Sequence, residues 1–264
     1  MTKKRNKKLT QEDIDTIDSF NFERQNEIGN NPFTQIKVNI LPKTENQKKL
    51  VYAITNNEIT IASGLPGTGK TFLACAEALK LIKDTKTPYQ KIILVKSVTT
   101  LKDEEIGFLK GTMEEKMEPF MDSFLDNFHK IIGESNTTKL RNSGFIQIKP
   151  IAYVRGRSID KSVIIIDEAQ NVSLDNMRTL MTRIGENSKL IILGDVKQKD
   201  IRNKKESSLE VVIEKFKDKN GFGTVELRNE EDIVRNPIIK VIEDIFDEIE
   251  EEKNNNGKKQ ILKD

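Results

Sequence analysis

Residues 64–71 read Gly64-Leu65-Pro66-Gly67-Thr68-Gly69-Lys70-Thr71, which fills the pattern G-x-x-x-x-G-K-[ST] at every position. The run stands between an apolar, β-branched stretch at 58–63 and an amphipathic one at 70–83. A strand therefore enters it and a helix leaves it. Glycines let the backbone wrap tightly with its N–H groups turned inward, and the helix presents the positive end of its dipole to the same point. A multiply charged anion is the ligand that uses both. Lys70 is placed to reach β- and γ-phosphates, and the hydroxyl of Thr71 to hold Mg²⁺. The expectation is a nucleotide cradle built by Gly64, Leu65, Pro66, Gly67, Thr68, Gly69, Lys70 and Thr71, with ATP and Mg²⁺ as its ligands.

The rest of the chain supplies a fold for such a junction. Short apolar runs at 58–63, 91–97, 145–149, 162–167, 189–195 and 224–228 alternate with helical patterns at 44–56, 70–83, 104–132, 174–184, 208–217 and 231–251. Alternation of this kind builds βαβ units and a mostly parallel sheet flanked by helices, an α/β architecture. Val163-Ile164-Ile165-Ile166 is apolar throughout, as a strand covered on both faces must be. Residues 1–35 read as a basic polar arm and 36–252 as the domain. Within the domain, 98–150 reads as an insertion packed on the core. Residues 253–264 read as a flexible tail.

Two further strand ends carry polar groups. The strand at 162–167 ends in Asp167-Glu168. Ligands of open α/β sheets sit at the carboxyl ends of strands, so Asp167 is placed to hold the metal and Glu168 to polarise an attacking water. The strand at 189–195 runs into Gly194-Asp195-Val196-Lys197-Gln198, which looks like the γ-phosphate sensor of superfamily-one helicases, with Gln198 as the sensing amide. Arg235 and Arg183 are the two candidates for a positive finger, although either can be a solvated helix residue, and Arg235 can pair with Glu231 four residues earlier. Gln47 follows Thr44 by three residues and closes a capping box or reads the adenine edge.

Composition excludes several classes. The 44 basic and 42 acidic residues leave a net charge of +2, so any nucleic-acid surface has to be a local patch. With one cysteine, Cys75, no disulfide can form within the chain. That suits a reducing, cytoplasmic setting, and the helical spacing of Cys75 puts it in the core. No run of 18 apolar residues offers a membrane span, and the basic residues 1–8 lead into no apolar stretch of the kind a signal peptide needs. The single histidine, His129, cannot form a histidine metal cluster.

The motifs, in this order, resemble the PhoH family over about residues 41 to 248. Beyond the phosphate loop, three phrases carry the likeness: Glu105-Ile106-Gly107-Phe108-Leu109-Lys110-Gly111, Pro150-Ile151-Ala152-Tyr153-Val154-Arg155-Gly156-Arg157-Ser158 and Asp232-Ile233-Val234-Arg235-Asn236-Pro237. The resemblance implies a RecA-like core, ATP hydrolysis, and a ring of several copies, six being one candidate number. It also implies a link to RNA handling for some members. By position it assigns Asp167 and Glu168 to metal and water, Gln198 to the sensor, and Arg235 to an arginine acting across a subunit boundary. Arg155 and Arg157 match the family's Arg-Gly-Arg. Many relatives carry arginine and proline after the second strand; here Lys96-Ser97 stand there, which keeps a charge and loses a planar donor fork. Some relatives carry a fused nuclease domain, for which this sequence shows no counterpart.

The leading reading is an ATPase that remodels or moves along nucleic acid, RNA before DNA, through phosphate contacts from Arg155, Arg157, Lys96 or Lys102. With no tryptophan and 3 tyrosines, base stacking is not its main grip. A small-molecule kinase and a nucleotide-dependent switch are the alternatives. Glu168 and Gln198 favour water as the acceptor over a second substrate, and Asn203-Lys204-Lys205-Glu206 has glutamate where guanine reading wants aspartate.

Overall fold

The computed structural model describes Phe33 and residues 36–96, 113–151, 158–198 and 208–261. The chain divides into two compact units, Met1–Ile36 and Lys37–Asp264, and all the elements named here belong to the second. In chain order they are α1 (Glu45–Asn56), β1 (Ile59–Gly64), α2 (Lys70–Lys83), β2 (Lys91–Lys96), α3 (Met113–Ile132), α4 (Glu134–Asn142), β3 (Ile146–Pro150), β4 (Ser162–Asp167), α5 (Leu174–Met181), β5 (Lys189–Gly194), α6 (Ser208–Phe216), β6 (Phe222–Leu227) and α7 (Ile238–Ile261).

The strands form one sheet in the order β3-β2-β4-β5-β1-β6, every pairing parallel. Register aligns their carboxyl ends. Gly64 lies opposite Leu227, Ser63 opposite Gly194, and Lys96 opposite Asp167. The end of β1 is therefore flanked by the ends of β5 and β6, with β4 one strand beyond, and the polar groups of those ends converge on one rim.

Side chains alternate between two faces. Ile61, Ile93, Ile164, Ile166 and Ile192 pack with Met177 and Leu180 of α5 and Leu209 and Val212 of α6. The other face is covered by α1, α2 and α3. There α2 buries Leu73, Ala74, Cys75, Ala78, Leu79 and Ile82, small residues letting its axis approach the sheet. Burial pushes the Cys75 thiol well above its ordinary range, which fits a packing role.

Of three expectations, the first holds where it is described and the other two shift. The pattern at 104–132 is described from Met113 and stops at Gly133, whose φ of 81° ends one helix and opens α4. The span 98–150 closes with β3, an edge strand of the main sheet, so it contributes to the core as well as packing on it. The last helix begins at Ile238, not 231, because Pro237 keeps Asn236 out of helical geometry; a short 3₁₀ turn, Glu230–Asp232, fills the gap. It then runs to Ile261, through most of the residues expected as a flexible tail. Adding a residue to an existing helix costs little compared with starting one.

Candidate nucleotide site

The phosphate loop is held from outside by its carbonyls. Lys70 Nζ donates to Gly64 O at 2.6 Å and Leu65 O at 2.9 Å. The N–H of Val234 donates to Gly67 O at 3.1 Å, and Gln47 Nε2 to Thr68 O at 2.9 Å. Because each peptide is trans, the N–H of Thr68 and of Gly69 points away from those carbonyls, towards the concave side. Gly67 and Gly69 have φ of 78° and 77°, a geometry glycine adopts at no steric cost. Helix α2 starts at Lys70, directly on this turn.

Thr71 Oγ1 donates to Asp167 Oδ2 at 3.1 Å. A hydroxyl and a carboxylate side by side, next to a phosphate loop, match the oxygen ligands Mg²⁺ takes from protein when water and phosphates supply the rest. Among the described residues no cluster of three His, Cys, Asp or Glu could hold a metal, and a site of this kind needs none. Burial, and then the charge of Glu168, raise the Asp167 carboxyl from 3.8 to about 6. Burial pushes the Lys70 ammonium down, opposed by the carboxylates of Asp195, Asp167 and Glu168.

Glu168 sits at φ 54°, ψ 40°, a left-handed conformation uncommon outside glycine and typical of sites that hold a side chain in one place. Gln170 Nε2 donates to Glu168 Oε2 at 2.7 Å, and Gln170 Oε1 accepts from the backbone of Asp195 at 3.0 Å. Asp195 is 5% exposed; its Oδ1 accepts from Lys197 N, and its buried Oδ2 has no partner among the described residues. Gln198, the expected sensor, is exposed three residues further on. Lys96 stands at the end of β2, in register with Asp167.

Gln47 does not close the expected capping box. It is buried, with Oε1 accepting from Lys43 N at 2.6 Å and Nε2 on the loop. Thr44 caps α1 by accepting from Gln47 N, but Gln47 returns its bond one residue early, to Lys43. Arg235 lies against the same chain's loop: a Cβ on Gly67 would stand 3.3 Å from Arg235 Cβ and 2.9 Å from Ile239 Cδ1. Arg183 lies at the opposite rim. Its carbonyl accepts from Ile159 N, ahead of the first residue of β4, a strand length of ~20 Å from the phosphate loop. Arg155, Arg157 and Lys102 fall outside the described residues.

Sequence reasoning overlooked three groups at this rim. Asp195 stood inside a quoted run without a role, and Gln170 follows the Asp167-Glu168 pair by two residues. Arg228 follows Leu227, whose carbonyl accepts from Leu65 N, and its charge is among those lowering Lys70. Only the parallel pairing of β6 with β1 puts Arg228 there.

Among solved structures, the large terminase of a thermophilic bacteriophage covers 76% of this chain and 49% of its own at 10% identity and a TM-score of 0.46, too slight a likeness to carry a functional argument. Sequence comparison reaches further. The PhoH-like protein of Bacillus subtilis is 37% identical over 205 residues, 78% of this chain and 63% of its own. That of Mycobacterium tuberculosis strain H37Rv is 35% identical over 212 residues, 80% and 59%, and protein PhoH of Escherichia coli 34% over 203 residues, 75% and 56%. The chain thus spans about three fifths of the length of these curated relatives. The model of the PhoH-like protein family matches residues 39–247, taking in the phosphate loop, the Asp167-Glu168 strand end and Arg235, and the chain belongs to that family.

Proposed function

We propose that this chain is an ATPase that uses ATP and Mg²⁺ to remodel or move along nucleic acid, RNA in preference to DNA, as a homo-oligomeric ring. The contact between Thr71 and Asp167 at 3.1 Å, beside Lys70, is the observation that carries the hydrolytic reading. In this reading Lys70 leaves the carbonyls of Gly64 and Leu65 for β- and γ-phosphate oxygens. Thr71 and Asp167 would hold the metal, which would neutralise charge on those oxygens. Glu168 accepts a proton from the attacking water as its oxygen bonds to the γ-phosphorus. The bond to the bridging oxygen then breaks, and ADP and phosphate leave. Gln198 senses the γ-phosphate, and Arg235 offsets developing charge. Glu168, held beside Asp167, favours water over a second substrate as the acceptor.

The partners rest on one sequence reading and one exposed face. Arg155, Arg157 and Lys96 are the phosphate contacts proposed for nucleic acid. Ring assembly is supported by α7, whose polar Lys240, Glu243 and Asp247 are partly buried, while Ile238, Val241, Ile242, Ile245, Phe246 and Ile249 are 38–61% exposed. These six recur at helical spacing along one stripe, which a second copy would cover.

Phosphate release from ATP with Mg²⁺ tests the core of this reading. Lys70→Ala removes the charge that meets the phosphates and is expected to abolish turnover. Unchanged turnover in that variant overturns it.

A further inference from the structure

We infer that Gln170 is the positioning residue for Glu168, and that it ties the aim of this base to the strand bearing Asp195; the inference rests on the hydrolytic reading above. Gln170 is 2% exposed, and its amide is used at both ends. Nε2 donates to Glu168 Oε2 at 2.7 Å, and Oε1 accepts from Asp195 N at 3.0 Å. The amide cannot flip, because turning it would set Nε2 against the N–H of Asp195 and Oε1 against the carboxylate. The backbone of Asp195 therefore dictates that Gln170 presents a donor to Glu168.

Neighbouring atoms close the arrangement. A Cβ on Gly194 would stand 2.5 Å from Gln170 Oε1 and 2.7 Å from Leu209 Cδ2, so the glycine ahead of Asp195 is what admits the amide against the end of β5. Glu168 is in a left-handed backbone conformation that puts its side chain on a sharp turn. A long, flexible carboxylate there has many rotamers, and one charge-assisted hydrogen bond to a fixed donor selects among them. With Oε2 held, Oε1 is the oxygen left to take the proton from water. Gln170 touches neither nucleotide nor water in this account and acts only through Glu168.

A simpler role would be to satisfy the buried N–H of Asp195, and the two roles separate on substitution. Gln170→Ala is expected to lower kcat roughly 10²-fold, the scale of a misaimed catalytic group, with KM for ATP nearly unchanged. Gln170→Glu keeps the size and the acceptor for Asp195 N–H. It replaces the donor with a group that repels Glu168 or shares its proton, so its kcat should fall at least as far, in a protein that remains folded by circular dichroism although the new buried carboxyl lowers its melting temperature. In a Glu168→Gln background, where the base is already gone, Gln170→Ala should cost little more, because residues that act as a unit are not additive. A Gln170→Glu variant with wild-type kcat overturns the inference even if Gln170→Ala does not fold. So does a full 10²-fold loss from Gln170→Ala in the Glu168→Gln background. If Glu168→Gln itself turns over normally, the base assignment falls and takes this inference with it; if Glu168→Gln is slow and both Gln170 variants are fast, only this inference falls.

Discussion

The N–H of Val234 donates to the carbonyl of Gly67 at 3.1 Å, so the tip of the phosphate loop and the segment carrying Arg235 are one hydrogen-bonded unit. The family resemblance assigns Arg235 to a neighbouring subunit's site, whereas parallel pairing of β6 with β1 brings the segment carrying it beside residues 64–71 of its own chain. With its Cβ beside Gly67 of the same chain, we expect Arg235 to serve the phosphates of its own chain. Arg235→Ala should still bind ATP, with turnover lowered by at least about 10²-fold, the scale of losing one charge-stabilising donor. Mixing it with Lys70→Ala should recover no phosphate release. Recovery on mixing would assign the arginine to the neighbour's site instead.

Asp232 holds this unit to α1. It is 1% exposed and accepts from Thr44 Oγ1 at 2.8 Å, Asn46 Nδ2 at 2.8 Å and Asn229 N at 3.1 Å. Removing the carboxylate strands three donors in a buried place, at a cost of roughly 2–4 kcal/mol. Asp232→Ala should show that loss in urea unfolding, together with a raised KM for ATP as the collar around the loop slackens. A variant as stable as the wild type would mean water replaces the carboxylate without penalty.

The stripe on α7 gives a separate test of assembly. Ile245 and Phe246 are 50% and 61% exposed, so charging them should not disturb the core. Ile245→Glu with Phe246→Glu should leave the circular dichroism spectrum of the folded chain unchanged and split any oligomer in sedimentation velocity, since each buried apolar side chain is worth about 1.5–3 kcal/mol at an interface. An oligomer of unchanged mass would place the interface elsewhere.

Much of the fold was legible because its signals are local. The strand at 162–167 and the helix at 70–83 are found at their expected bounds, one set by an unbroken apolar run and the other by a phosphate-loop turn. What was not legible depends on which strands adjoin. Nothing near Arg228 in sequence says that β6 will lie beside β1. Likewise, Gln170 reads as one polar residue in a short motif until β4 and β5 pair. Gln47 was misread by one residue, because a capping box and a bond to the preceding amide have the same sequence pattern. The late start of α7 was available in Pro237 and was missed, since periodicity alone runs through a proline without registering it.

Asp167 should make the metal-free protein less stable than it need be. Its carboxyl titrates near 6 in the fold instead of 3.8, chiefly from burial and next from the charge of Glu168. Between about pH 4 and 6 the folded chain therefore binds more protons than the unfolded one, and stability falls as pH rises through that window. Above it, the ionised carboxylate costs the fold up to about 3 kcal/mol by linkage, less whatever access to water relieves. Asp167→Asn retains an acceptor for Thr71 Oγ1 and removes the charge. At pH 7.5, with no nucleotide or metal, it should melt higher than the wild type by several degrees, at roughly 2–4 °C per kcal/mol for a domain of this size. The gap should narrow towards pH 4 and close below it, where the wild-type carboxyl becomes protonated in both states. The same variant should lose Mg²⁺-dependent turnover, because the charge that destabilises the empty fold is the one that holds the metal. A lower melting temperature for Asp167→Asn at pH 7.5, or a gap between the two proteins that does not vary with pH, would show that this carboxylate is not under the burial penalty assigned to it.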